Sequence, residues 1–138
     1  MGRLLAVALT LGLAGCVTPQ PSAPSACAVG DAMVETQLFF GLSRPKGGVV
    51  SGRDWEAFVA REVSPRFPEG FSMIDGAGFW RDGASQKTIS EKSKVVVRLH
   101  PASTEADQAI GAIVDAYKVK FEQDAVLRVD QPVCAKFS

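Results

Sequence analysis

The run Val34-Glu35-Thr36-Gln37-Leu38-Phe39-Phe40-Gly41-Leu42 is the stretch from which the fold can be worked out. One alternate row of this run is mostly apolar: Thr36, Leu38, Phe40 and Leu42. The other row is mixed: Glu35, Gln37, Phe39 and Gly41. Such alternation predicts a strand with one buried face. We expect a central strand, with two helices against its apolar row and with Cys27 and Cys134 near its start.

Length and composition favour one globular domain. The chain has 138 residues, of which 46% are hydrophobic, so a packed core is feasible. Lys and Arg number 15, and so do Asp and Glu. This balance gives no indication of nucleic-acid binding.

The N-terminus is predicted to be a lipoprotein signal peptide, residues 1–15. Its apolar part, Leu4 to Leu13, is too short to span a bilayer. Leu13-Ala14-Gly15-Cys16 resembles the bacterial lipobox, which implies that Cys16 carries lipid; the alternative is an ordinary signal peptide with a chance Cys. The residue after it, Val17, favours the periplasmic side of the outer membrane over the inner membrane. Residues 16–26 then read as a Pro/Ser/Ala-rich tether to a domain at 27–138.

Two cysteines remain for the domain, Cys27 and Cys134. Export to an oxidising compartment predicts a disulfide between them. No spacing is typical of a zinc site, and the single histidine, His100, could not complete one. The sequence therefore predicts no metal and no cofactor.

Further elements can be read along the chain. A first helix is expected from a capping box at Ser51 and Asp54 to just before Pro65. A strand with two interrupting glycines follows at 71–81, where the glycines indicate a bulge or a close backbone approach. A polar loop is expected at 82–91, and a clear strand at 94–100. A second helix is predicted from an apolar stripe between Ala106 and Phe121, and a short last strand at 126–129 is expected to stop by Pro132.

This β-α-β-β-α-β order is the pattern of the ferredoxin-like fold, an α+β fold with a four-stranded antiparallel sheet and both helices on one face. Its strand order is 4-1-3-2, so the last strand lies antiparallel beside the first. That arrangement brings Cys134 close to Cys27, which agrees with the predicted disulfide.

Several of these residues also resemble a known family, the domain of unknown function 3574. The resemblance lies in 35–41, Trp55, the run Pro65-Arg66-Phe67-Pro68-Glu69-Gly70, Trp80-Arg81, Glu91 and the spacing from Tyr117 to Phe121. It extends roughly from Glu35 to Val129. It implies a small bacterial secreted protein or lipoprotein, and it implies no activity, substrate or catalytic residue.

The candidate binding surface is the sheet face away from the helices. If Leu38 and Val97 point to the helices, the opposite face carries Glu35, Gln37, Phe39, Lys94, Val96, Arg98 and His100, with Trp80 as a further candidate. Such a face could be a ligand floor, a homodimer interface or a solvated surface. Outside this face, Arg66 could pin its turn through a carboxylate or contact an anion. Tyr117 could be a core residue or a proton donor.

Motifs for nucleophilic catalysis, phosphate binding or dinucleotide binding are absent from the sequence. The first hypothesis is therefore a non-enzymatic binding or interaction module, attached to the membrane through lipid, that binds an unknown protein or small molecule. The second is a cofactor-free enzyme resembling the ferredoxin-like monooxygenases, which would need a deep, water-shielded pocket. The third is an envelope-structural role without a ligand.

Overall fold

The computed structural model describes residues 27–138. The elements follow in the order β1 (Asp31–Gly41), α1 (Gly52–Phe58), β2 (Ser72–Arg81), β3 (Thr88–His100), α2 (Thr104–Phe121) and β4 (Leu127–Ala135). The four strands form one antiparallel sheet in the order β2-β3-β1-β4. The α+β, ferredoxin-like prediction is thus confirmed, including the central position of β1.

The first helix begins where its capping box predicts. The Ser51 hydroxyl accepts the Asp54 N–H at 3.1 Å, and the Asp54 carboxylate accepts the Ser51 N–H at 3.4 Å. The helix continues as a π-helical turn, Val59–Val63. It ends at Val63, two residues before Pro65, although Ser64 still has helical backbone angles (φ −58°, ψ −40°).

The core lies between the apolar row of β1 and the two helices. Five aromatic rings form its centre: Phe40, Trp55, Phe58, Tyr117 and Phe121. The ring centroids of Phe40 and Tyr117 are 4.7 Å apart, and those of Phe58 and Tyr117 are 5.1 Å apart. Edge-to-face pairs of this kind add about 0.5–1.5 kcal/mol each to the gain from burial. The row Thr36, Leu38 and Phe40, read from the sequence as helix-facing, is buried as predicted.

Three strands are longer than predicted, and the smallest difference is in β1, which begins at Asp31 and not at Val34. β3 begins at Thr88 and not at Lys94, because 88–93 pair with β2 in an unbroken ladder. The same ladder shows that the two glycines of β2 cause no bulge. β4 runs to Ala135 and passes through Pro132, which is tolerated because an edge strand need not donate on its outer side.

A disulfide joins the segment before the start of β1 to the end of β4, as expected. The predicted disulfide between Cys27 and Cys134 is present, with Cα atoms 5.6 Å apart, a normal separation for such a bond. The predicted signal peptide at 1–15 and the tether at 16–26, with Cys16, lie outside the described residues. Within 27–138, neither helix is long and apolar enough to cross a membrane.

Candidate functional site

The strand register assigns each side chain to one face of the sheet, because directly opposed residues point the same way. Leu38 faces the helices, and Val96 lies opposite it. The face turned away from the helices, here called the open face, therefore carries the other row of every strand. Its residues are 31, 33, 35, 37, 39 and 41 of β1, 72, 74, 76, 78 and 80 of β2, 89, 91, 93, 95, 97 and 99 of β3, and 127, 129, 131, 133 and 135 of β4.

One part of the predicted binding face is wrong. Lys94, Arg98 and His100 were expected beside Glu35, Gln37 and Phe39, but the register places them on the helix side, opposite Phe40, Thr36 and Val34. The prediction assumed that the row Val95, Val97 and Leu99 must face the core because it is apolar. Apolar residues also cover much of a protein's surface, and here this row lies on the open face. Lys94 pairs instead with Asp75 of β2.

The remaining candidates lie together on the open face. Glu35 Oε1 accepts hydrogen bonds from Gln37 Nε2 at 2.7 Å and from Gln131 Nε2 at 3.2 Å. Phe39 is half-buried and Trp80 is exposed, so the open face has no second layer over it in the described part of the chain. The apolar residues there include Ile74, Leu127 and Val129, which are 56%, 59% and 41% exposed.

One end of the sheet contains a cavity of about 580 Å³, here called the Arg98 hollow. It is lined by residues from the starts of β1 and β2, the end of β3 and the C-terminus: Met33, Glu35, Glu69, Gly70, Phe71, Ser72, Val97, Arg98, Leu99, Pro101 and Phe137. Two candidates from opposite faces, Glu35 and Arg98, therefore border one cavity. It curves around the edge of β3, because β2 begins opposite Val97 and leaves the last residues of β3 unpaired on that side.

The Arg98 guanidinium is buried with few polar partners. It lies 4.2 Å from the centre of the Phe67 ring, and its Nη2 donates to Glu69 Oε2 at 3.1 Å. Its Nε and Nη1 are buried without a hydrogen bond to any residue of 27–138. Since Glu69 is itself largely exposed, this pair provides weak compensation for a buried charge.

A second cavity of about 460 Å³, here called the Trp80 hollow, lies in the opposite end of the open face. Phe39, Trp80, Leu127 and Glu91 contribute to its walls, and Gly41 and Gly78 to its lining. Sequence reasoning missed Glu91 because it placed the residue in an exposed loop. The two glycines in β2 were the available signal: without a side chain at Gly78, the Trp80 ring lies over that position.

A chain of polar contacts ties three strands together on the helix side. The Thr36 hydroxyl donates to Asp130 Oδ1 at 2.5 Å and makes a second hydrogen bond with His100 Nε2 at 2.8 Å, while His100 Nδ1 lies 2.9 Å from the Pro101 carbonyl oxygen. His100 is 3% exposed and Thr36 is 1% exposed. Asp130 also pairs with Arg128 at 2.9 Å. Burial acts to raise the pKa of Asp130, but hydrogen bonds from Thr36 and Arg128 outweigh it and hold that pKa below its ordinary value.

His100, Arg128 and Asp130, which belong to these polar contacts, also line a third cavity, of about 450 Å³. Thr36 stands between the histidine and the carboxylate, whereas a nucleophilic triad requires the histidine in the middle. The hydroxyl is buried and already engaged twice. The arrangement therefore acts as a structural tie between β1, β3 and β4, in which His100 is buried at the end of β3.

Two further candidates are accounted for by structural contacts. Arg66 Nη1 donates to the Glu62 carboxylate at 2.8 Å and to the Glu62 carbonyl at 2.9 Å, which pins the turn after α1. The Tyr117 hydroxyl donates to the Gly41 carbonyl at 2.8 Å. Burial raises the pKa of Tyr117, so the phenol keeps its proton in the core.

Comparisons with known proteins identify a family and a fold. A family model described as "Protein of unknown function (DUF3574)" matches residues 35–137. A solved structure of a phage SAM lyase in complex with S-methyl-5′-thioadenosine is 14% identical and covers 84% of this chain and 99% of that chain, with a TM-score of 0.56. The apo state of a phage SAM lyase is 15% identical, with the same coverage and TM-score. These identities show likeness of fold alone. No curated protein matches this chain.

Proposed function

This chain belongs to the DUF3574 family of proteins of unknown function, and from that premise we propose that it is a binding module that holds a partner molecule on its open face. The observation that supports the proposal is the apolar character of that face. Ile74, Leu127 and Trp80 are 56%, 59% and 41% exposed on three different strands. Contiguous apolar surface of this kind marks interaction sites in soluble domains.

The charges of the open face favour a cationic partner. Its strand residues include the carboxylates Asp31, Glu35 and Glu91, and no Lys or Arg. A second copy docked face to face would bring carboxylates together without any opposite charge, which disfavours a homodimer. A partner with apolar surface and positive charge would satisfy both properties of the face.

Binding of the neutral dye Nile red tests this proposal on the domain 27–138. We expect dye fluorescence to rise with the wild-type protein and to fall in the variant Ile74→Lys/Leu127→Lys, which keeps the fold because both side chains are mostly exposed. Val119→Lys is the matched control, since Val119 is 82% exposed on α2. Equal loss in the control variant would contradict the proposal. A wild-type dimer that the double variant dissociates would assign the face to a second copy of the chain.

We propose further that the module is attached by lipid at Cys16 on the periplasmic side of the outer membrane. Leu13-Ala14-Gly15-Cys16 after a short apolar run supports this. Stable attachment needs more than one acyl chain, because each buried CH2 contributes about 0.8 kcal/mol. Cys16→Ala should release the protein from membranes and lower its mass by the lipid. Unchanged fractionation and mass would refute the proposal.

The second candidate function is a small cofactor-free enzyme, which is favoured by the likeness in fold to the phage SAM lyase. Its test is incubation of the domain with SAM, followed by chromatography for S-methyl-5′-thioadenosine. Product that depends on the protein and is lost in the variant Ile74→Lys/Leu127→Lys would replace the binding module by an enzyme that works on the same face.

A further inference from the structure

The Trp80 hollow combines aromatic walls with one carboxylate. Phe39 of β1 and Trp80 of β2 both line it, and Glu91 of β3 lies between them in the sheet order. No Lys, Arg or His is among its lining residues, which are all in the described part of the chain. Aromatic faces attract cations, and tryptophan does so most strongly. The carboxylate of Glu91 and the two aromatic rings therefore both favour a cationic ligand.

The floor of the hollow holds the carboxylate in place. Glu91 leans from β3 over Gly41 of β1, where a Cβ atom would lie 2.7 Å from Glu91 Oε2. Glu91 Oε1 accepts the Ser43 N–H at 2.6 Å. Among residues 27–138 this is the one hydrogen bond that the carboxylate accepts, and Oε2 has no donor there. The glycine at position 41 is thus required for the carboxylate to occupy this place.

Trp80 lies on β2, at the other side of Glu91 from β1, and a glycine also leaves room for its side chain. Its Cζ3 and Cε3 atoms lie 3.5 and 3.7 Å from the position of a Cβ at Gly78. The indole therefore lies beside Gly78 on its own strand, with 41% of the residue exposed. A ring that already lies against the sheet loses less conformational freedom when a ligand binds.

From this geometry we propose that the Trp80 hollow binds a small organic cation, and specifically an alkylated ammonium ion. The inference rests on the proposed function, because the hollow is part of the open face. A primary ammonium needs several hydrogen-bond acceptors and is strongly hydrated, whereas an alkylated ammonium needs apolar contact and one counter-charge. The volume of about 460 Å³ is within the range of small-molecule sites.

Choline chloride is the probe for this proposal, and 3,3-dimethyl-1-butanol is its neutral analogue of the same shape. Titration of the ¹⁵N-labelled domain should shift the Trp80 indole and Gly78 amide signals with choline. The neutral alcohol should bind at least about tenfold more weakly, since it lacks the cation–π and carboxylate attraction. Equal binding of the two compounds would overturn the proposal.

Two variants locate the interaction. Glu91→Gln keeps an oxygen for the Ser43 N–H but removes the charge, and it should weaken choline binding about tenfold. Asp115→Asn removes an exposed carboxylate from α2, away from the open face, and should leave the affinity unchanged. Equal effects of the two variants would mean that the charge of the protein in general attracts choline, which overturns the assignment to this hollow. If Glu91→Gln changes the circular dichroism spectrum, the fold has been disturbed, and Trp80→Leu, at an exposed edge position, then decides by the same tenfold criterion.

The remaining outcomes separate this proposal from the previous one. Failure of choline with intact, face-dependent Nile red binding would refute the cation site and leave the binding module standing. Failure of both probes would refute the binding module itself. Co-sedimentation with phosphatidylcholine vesicles in the absence of free choline binding would assign the cation to a lipid headgroup and overturn the small-molecule site.

Discussion

Replacement of Thr36 tests whether the buried polar chain stabilises the fold. Thr36→Val keeps the shape of the side chain but removes the hydroxyl that joins His100 Nε2 to Asp130 Oδ1. The imidazole is 3% exposed, so its Nε2 would be left buried without a partner. That costs about 1–3 kcal/mol of unfolding free energy. Asp130 loses one hydrogen bond but keeps Arg128 and partial contact with water, so we expect a total loss of about 2–4 kcal/mol.

Thr36→Ser is the matched control, because it keeps the hydroxyl and removes one buried methyl group. Its expected cost is about 1 kcal/mol from lost burial. Urea unfolding of both variants, followed by circular dichroism, gives the two free energies with their slopes. Thr36→Val should lower the unfolding free energy more than Thr36→Ser does. A Val variant at least as stable as the Ser variant would show that packing alone holds Thr36 in place.

Three further predictions concern charge and covalent links. Cys27→Ser/Cys134→Ser opens a link between residues 107 apart and should lower the unfolding free energy by up to about 4.7 kcal/mol in urea unfolding; a loss below about 1 kcal/mol would contradict the chain-entropy reasoning. Asp130 has a folded-state pKa below its ordinary value, so its contribution is complete above about pH 4 and disappears as the pH falls through the folded-state value. Asp130→Asn should flatten the acid limb of unfolding free energy against pH, by less than about 1 kcal/mol because the carboxylate is 40% exposed, and an unchanged limb would refute the assignment. Arg98→Met removes a guanidinium with two unsatisfied nitrogens and should be neutral or stabilise by about 1–2 kcal/mol in thermal unfolding, whereas a loss above about 2 kcal/mol would show that the Phe67 and Glu69 contacts are strongly favourable.

The local signals in the sequence were sufficient for the elements and their order. The capping box at Ser51 and Asp54, the proline at 65 and the apolar stripe of α2 each act over one or two helical turns, so they can be read without tertiary contacts. The end of β4 could not be read in this way. Pro132 is compatible with a strand when that strand lies at the edge of a sheet, and edge position is a property of the assembled sheet.

The candidate site was predicted only in part for a related reason. Glu35, Gln37, Phe39 and Trp80 lie on the open face as a group, but Glu91, which shares the hollow with Phe39 and Trp80, was missed. Glu91 was not considered because residues 82–91 were predicted to form an exposed loop, whereas Glu91 lies in β3. Its pairing with Gly78 of β2 is a long-range contact that no local pattern reveals.

The sequence by itself determined the number and type of the helices and strands, their β-α-β-β-α-β order and, with the cysteines, how the start of β1 and the end of β4 meet. These depend on periodicity, capping and chain topology. Only the tertiary structure decided which row of β3 faces the helices. The more apolar row, with Val95 and Val97, lies on the open face. The row that faces the helices contains Val96 together with Arg98 and His100, which can be buried because Glu69, Phe67 and Thr36 supply their contacts. Register, and not hydrophobicity, assigns the faces here, because a shift of one residue moves every side chain to the opposite face.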